Sequence, residues 1–216
     1  MIYLYAITEP AAGVPAATGF DDAPLQMARS AHAAALYSTH ESVEQPPQPD
    51  ALLLHERVVE AAMRQGATLP ARFGTTFTSD DALWAAVDGA GDRFGRQLQR
   101  VRGCVELAVR VGLPDRPDPA PRDGRGYLEA KLADHRELEA ICAETLAPLA
   151  RLAVRARCDE RRSEGNVVRA SYLVREDLVD QFADEVRVLA DRHPGLALSC
   201  TGPWPPYSFV ELEEEA

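Results

Sequence analysis

From Cys104 onward, apolar residues recur at every second position, then at helical spacing, in the order β-α-β-β-α-β. Few folds satisfy that order. In CVELAVRV, Val105, Leu107, Val109 and Val111 alternate with Glu106, Ala108 and Arg110, the pattern of a strand with one buried face. Residues from Tyr127 to Ala147 predict a helix with Leu128, Leu132, Leu138, Ile141 and Thr145 inward. Pro148 ends or kinks it, because proline has no N–H to donate. VRARCDE and VVRASYLV alternate again. Val154, Ala156 and Cys158 share one side of the first, and Val168, Ala170, Tyr172 and Val174 one side of the second, with SEGN as the turn between. Leu178, Phe182, Val186 and Leu189 mark a helix stopped at Pro194-Gly195, and LALSC is the fourth strand. This order predicts an antiparallel sheet with both helices on one face.

That arrangement is ferredoxin-like, and it predicts a domain over residues 103–216. Residues 1–102 predict a separate mixed domain, so the expected fold class is α+β with two domains. IYLYAI at the start is a strand, with Tyr3 and Tyr5 on one face and Ile2, Leu4 and Ala6 on the other. Gly13 to Pro24 reads as a loop, and Leu25–Arg29 with Ala34–Tyr37 as a hairpin. Glu41–Asp50 holds Pro46, Pro47 and Pro49 and reads as a loop. Asp50 is placed to cap a helix that runs to Gln65 and stops at Gly66. Ser79 caps a second helix, with Leu83, Val87, Ala90, Phe94, Leu98 and Val101 inward. Gly89, Gly91 and Gly95 weaken that helix by roughly 1 kcal/mol each relative to alanine, so it needs tertiary packing. Leu113 to Gly126 is rich in Pro, Asp and Arg and reads as a loop without order.

Charge narrows the function classes. The net charge of -11 repels phosphate backbones and anionic lipid heads, which argues against nucleic acid and membrane surfaces as partners. The run Arg155, Arg157, Arg161, Arg162 is the one basic candidate, and it reads as a solvated strand edge and loop. MIYLYAITEP is too short and lacks the basic flank of a signal peptide. The sequence has no apolar run of the ~18 residues a transmembrane helix needs, and the expected location is the cytoplasm. Cys104, Cys142, Cys158 and Cys200 form no CxxC pair and share no ligand spacing with histidines. They read as small buried hydrophobes, with no metal and no cofactor expected.

No motif for catalysis stands out. There is no GxSxG, and His32, His40, His55, His135 and His193 flank no nucleophile motif. His135 reads as a core-edge histidine, and His193 as a cation at a helix C-terminus. Asp21-Asp22 and Asp80-Asp81 read as loop and cap charge. An enzyme or haem protein built on the second half would need a polar ligating residue in a pocket, and His135 is the best on offer. An RNA binder would need aromatics on an exposed sheet and a basic surround, but the strands show mostly aliphatics and the net charge opposes it.

Two segments carry unusual chemistry. In LPARFGTTF, residues 69–77, Pro70 suits a strand edge, Gly74 permits a turn, and Arg72 sits among apolar residues beside Phe73. The structural reading has the Arg72 guanidinium tying loop carbonyls or a carboxylate at the domain junction, so that Arg72→Ala lowers the melting temperature. The functional reading has it grip an acidic group on a partner. In GPWPPYSFV, Pro203, Pro205 and Pro206 stiffen the chain around Trp204. Tyr207 to Val210 is expected to resume as a strand. Trp204 and Phe209 either cap a core or form a binding surface.

GPWPPYSFV resembles the C-terminal signature of the gas vesicle protein F and L family. LPARFGTTF resembles that family's central motif, IYLYAI its first strand, and GRGYLEAKL, residues 124–132, the start of its long helix. The four blocks fall in the family's order and span the chain. This chain departs from typical members in its short C-terminus, Glu211 to Ala216. The resemblance implies an α+β protein of two domains, the second a modified ferredoxin-like fold. It implies a non-enzymatic accessory protein required for gas vesicle assembly. Its expected partners are the small hydrophobic shell protein and other accessory proteins, and its location is the cytoplasm and the gas vesicle. Candidate contact residues are Arg72, Phe73, Gly74, Trp204, Pro205, Pro206, Tyr207 and Phe209. An exposed sheet edge also leaves room for a homo-oligomer.

Overall fold

The computed structural model describes residues 1–41, 49–114, 124–163 and 167–210. Most of the expected loops at 41–50 and 113–126, and most of the SEGN turn, lie outside the described residues. The protein is α+β with two antiparallel sheets. Its contacts separate into two units, Met1–Val105 joined by the chain from Trp204 onward, and Glu106–Pro203. The segment from Trp204, expected with residues 103–216, has its contacts with the first unit. The reason is local: Pro205, Pro206 and Phe209 bury themselves, and Tyr207 bonds to a residue of the first unit's long helix.

The first unit is built around β1 (Ile2–Thr8), every residue of which is buried. It is a central strand with both faces covered, so it reads as a continuous apolar run. It pairs antiparallel with β3 (Ala34–Thr39), β4 (Thr68–Pro70) and β5 (Thr76–Phe77), and β2 (Gln26–Arg29) closes the hairpin against β3. Helix α1 (Pro49–Met63) starts two residues earlier than an Asp50 cap implies. Asp50 thus lies in its first turn, favourable to the dipole, while Pro49 occupies a position where a missing N–H costs nothing. Val58, Val59 and Ala62 of α1 pack with Tyr3, Tyr5, Phe20, Leu25 and Leu36 in one core.

The expected single helix from Ser79 to Val101 is two. Ser79 caps α2 (Asp80–Gly89) by accepting the Ala82 N–H. At Ala90 (φ -104, ψ 8) the chain turns and restarts as α3 (Gly91–Val101). Glycines on either side of Ala90 lower the cost of leaving helical geometry, so the break falls there.

The second unit has a four-stranded sheet in the order β7-β8-β6-β9, for β6 (Cys104–Gly112), β7 (Arg155–Ser163), β8 (Val167–Arg175) and β9 (Ala197–Trp204). Helices α4 (Gly124–Ile141) and α5 (Val179–Arg192) connect them. Leu107, Val109 and Val111 of β6 and Val168, Ala170, Tyr172 and Val174 of β8 form one core with Leu138 of α4 and Phe182, Val186 and Leu189 of α5. Pro148 has no N–H for the Glu144 carbonyl, and the chain widens over Cys142–Leu146 and then tightens over Ala147–Leu152. The expected inward face of α4 holds only in its second half. Leu138 and Thr145 are buried, but Leu128 and Leu132 are 67% and 50% exposed. Among the described side chains of the helix, Leu138 is the first to join the core. Val154, Ala156 and Cys158 are likewise exposed, because β7 is an edge strand.

Candidate functional site

Alternation along β1 sends Tyr3 and Tyr5 to the same side, where their rings meet at 4.9 Å. Phe20 packs edge-on against Tyr3 at 4.7 Å, and His55 of α1 and Phe73 approach each other at 5.7 Å. These five rings form an apolar cluster with three polar handles, and each handle is bonded. The Tyr3 hydroxyl lies 3.0 Å from His55 Nδ1, and His55 Nε2 lies 3.1 Å from the Ala71 carbonyl. A carbonyl only accepts, so Nε2 carries the proton and Nδ1 receives the Tyr3 O–H. Burial favours that neutral ring and pushes the His55 pKa down to about 4. Burial also pushes the Tyr3 phenol up to about 12.

The cluster holds the turn at 71–75 from beneath. Ala71 N–H donates to the Tyr5 carbonyl at 2.9 Å, and Gly74 N–H to the Tyr3 hydroxyl at 3.0 Å. Thr75 closes the turn by donating its N–H and its hydroxyl to the Arg72 carbonyl at 3.1 and 2.7 Å. Gly74 has φ +84, a left-handed geometry that other residues adopt at a cost. Arg72 is exposed. Its carbonyl, not its guanidinium, ties the loop, and the guanidinium has no hydrogen bond or ion pair among the described residues.

The C-terminal segment reaches the neighbouring position on α1. The Tyr207 hydroxyl donates to Glu56 Oε2 at 3.0 Å. Burial raises the Glu56 carboxyl, and the Tyr207 bond partly offsets that rise. Burial and the adjacent Glu56 charge raise the Tyr207 phenol. The expected strand at 207–210 is instead a short helical turn, Tyr207–Phe209. Tyr207 N–H bonds the Pro205 carbonyl and Phe209 N–H the Pro206 carbonyl, which leaves these amides unavailable to a sheet. Phe209, Pro205 and Pro206 are buried, while Trp204 is 43% exposed. Phe209 thus caps a core and Trp204 does not.

The two motifs therefore meet at adjacent residues of α1, His55 and Glu56. Neither was singled out from the sequence. A polar residue within the buried row His55, Val58, Val59, Ala62 was the available signal.

A second polar array lies nearby. Ser38 Oγ is 2.7 Å from His40 Nε2, and His40 Nδ1 is 3.9 Å from Asp21 Oδ2. The order serine, histidine, aspartate resembles a hydrolytic triad. Yet Ser38 is fully buried and also bonded to the Tyr5 hydroxyl at 2.9 Å, which in turn accepts the Phe20 N–H. A Cβ on Gly19 would stand 2.5 Å from the Tyr5 oxygen and 2.8 Å from Ser38 Oγ. The hydroxyl is walled in, and the array serves to seat the Phe20 loop on the sheet. Asp21 and Asp22 both adopt left-handed backbone on that loop, which aspartate tolerates better than most residues.

In the second unit, Leu128 and Leu132 stand one turn apart on the exposed face of α4, next to exposed Tyr127. His135 is exposed and lines a shallow pocket beside core residue Leu138. It faces solvent and lies 3.4 Å from Glu139 on the same helix. Among the described residues, no cluster of three His, Cys, Asp or Glu side chains could hold a metal ion, and no helix is long and apolar enough to cross a membrane.

A family model described as gas vesicle synthesis protein GvpL/GvpF matches residues 1–211. Gas vesicle protein L of a Streptomyces strain is 28% identical, over 99% of this chain and 94% of that protein. Gas vesicle protein F of the same strain is 31% identical, over 82% of this chain and 84% of that protein. The crystal structure of the gas vesicle protein GvpF from Anabaena superposes with a TM-score of 0.81 at 18% identity, covering 100% of this chain and 98% of that one.

Proposed function

The chain belongs to the GvpL/GvpF family of gas vesicle synthesis proteins and has a role in gas vesicle formation, and from there we propose that it is an assembly factor that binds the small hydrophobic shell protein. One observation carries this reading: the apolar ridge of Leu128 and Leu132 on α4. At roughly 25 cal/mol per Å² of apolar surface removed from water, covering two leucines and a tyrosine supplies a few kcal/mol toward holding an apolar segment. The charge of -11 keeps such a complex soluble. In this reading the protein works in the cytoplasm and at the vesicle, by offering a surface and not a reactive pocket.

A second contact is favoured by Arg72. An exposed cation on a turn pinned from beneath loses little freedom on binding, and it suits a carboxylate on another accessory protein. Exposed Trp204 fits the same kind of surface. The strand order β7-β8-β6-β9, with two helices packed against one set of strand residues, supports reading the second unit as ferredoxin-like.

The test is capture of the purified shell protein by this chain. Wild type retains it, and the pair Leu128→Glu, Leu132→Glu loses it with unchanged melting. Equal capture by both would refute the surface assigned here. Deletion of the coding sequence in a vesicle-forming host, followed by microscopy, tests the role itself. Normal vesicles in normal number would refute it.

A further inference from the structure

Cys142 and Cys158 are sixteen positions apart in sequence, yet their Sγ atoms lie 3.8 Å apart, at van der Waals contact. Two features of the second unit bring them together. Cys158 stands opposite Ala170 in the β7–β8 register, so it projects from the same face as buried Ala170 and Tyr172. Cys142 begins the widened turn after α4, where the chain has descended onto that face through Leu138. The Tyr172 hydroxyl, donating to the Leu146 carbonyl at 2.8 Å, holds the segment after Cys142 to the sheet.

Both thiols are open to small reagents. Cys158 is exposed, and Cys142, half-buried, lines a shallow pocket with His135, Leu138 and Glu139. The other two cysteines are less available: Cys104 is buried, and burial pushes the Cys200 thiol up, which lowers its thiolate fraction.

We propose that Cys142 and Cys158 are a reversible dithiol–disulfide pair, oxidised by a low-molecular-weight disulfide. The Cys158 thiolate attacks one sulfur of the reagent, whose S–S bond breaks and releases one reagent thiol. The Cys142 thiolate then attacks the Cys158 sulfur, expels the second reagent thiol and closes the protein bond. The two cysteines lose two electrons and two protons, and the two released thiols carry them away. Bonding requires the sulfurs to close to about 2.05 Å, which rotation about the two Cα–Cβ bonds supplies in large part. The bond staples the end of α4 to β7 and closes the loop between them, which restricts the unfolded chain.

The experiment treats the full chain with oxidised glutathione. Two of the four thiols should disappear, with a mass loss of about 2 Da for two hydrogens. Tryptic mapping should find peptide 137–151 joined to peptide 158–161. The melting temperature should rise by several degrees and fall back with dithiothreitol. Cys142→Ser and Cys158→Ser should each show no such rise. Persistent glutathione adducts on Cys142 or Cys158 of the wild type would overturn the pair. So would bonding through Cys104 or Cys200, or four thiols left intact. None of these readouts depends on the vesicle role.

Discussion

The Tyr207 hydroxyl donates to Glu56 at 3.0 Å across 151 positions of sequence, and the residue before Glu56 on the same helix holds the 71–75 turn. Tyr207→Phe removes that bond and leaves a partly buried carboxylate without its donor. The expected cost is about 1–2 kcal/mol, since hydrogen bonds to charged groups exceed the neutral mean. Chemical denaturation of wild type and variant measures it, and a midpoint unchanged by the substitution would show that the contact contributes nothing.

Stability should depend on pH through His55. Its native pKa, about 4, lies below the ordinary histidine value near 6.5, so the unfolded chain binds the proton first. His55 therefore contributes stability that is fully present above about pH 6.5 and is lost as pH falls toward 4. The loss is on the order of 2 kcal/mol by pH 5. His40, also lowered by burial, acts in the same direction, while the raised carboxyl of Glu56 opposes it. His55→Gln should flatten the profile between pH 5 and 7, and a variant as steep as wild type would remove His55 as its source.

The 71–75 turn separates backbone from side chain. Arg72→Ala should leave melting unchanged, because the guanidinium has no partner among the described residues. Gly74→Ala should cost about 1 kcal/mol from its left-handed backbone alone, since nothing lies within 4 Å of an added Cβ. Thermal melts of the two variants decide the matter. A large drop for Arg72→Ala would restore the tying role expected from the sequence.

Helix α4 predicts a contrast along its own length. Leu138→Ala should destabilise by about 2–4 kcal/mol, the usual cost of truncating a packed leucine. Leu132→Ala, at a half-exposed position, should stay within about 0.5 kcal/mol. Denaturant midpoints for the pair would expose any error in the assigned depth.

Much of the architecture was legible from pattern. Period-two alternation located β6, β7 and β8, helical spacing located α5, and the Asp50 start with the Gly66 stop located α1, because these signals act within one element. Ser79 was legible as a cap because its hydroxyl acts within one turn. The break at Ala90 was visible only as three weakening glycines. The exposed half of α4 was not visible at all, since a leucine at helical spacing looks the same whether or not another element covers it.

The residues alone determined most of the elements, the family resemblance and the acidic charge, because each of these is written in local order or in a sum over the chain. Tertiary structure alone decided that Tyr3 and Ala71 share His55, that Tyr207 returns to Glu56, and that Cys142 meets Cys158. Such contacts join positions far apart in the chain. Their partners are chosen by which faces pack together, and no spacing within one segment encodes that choice.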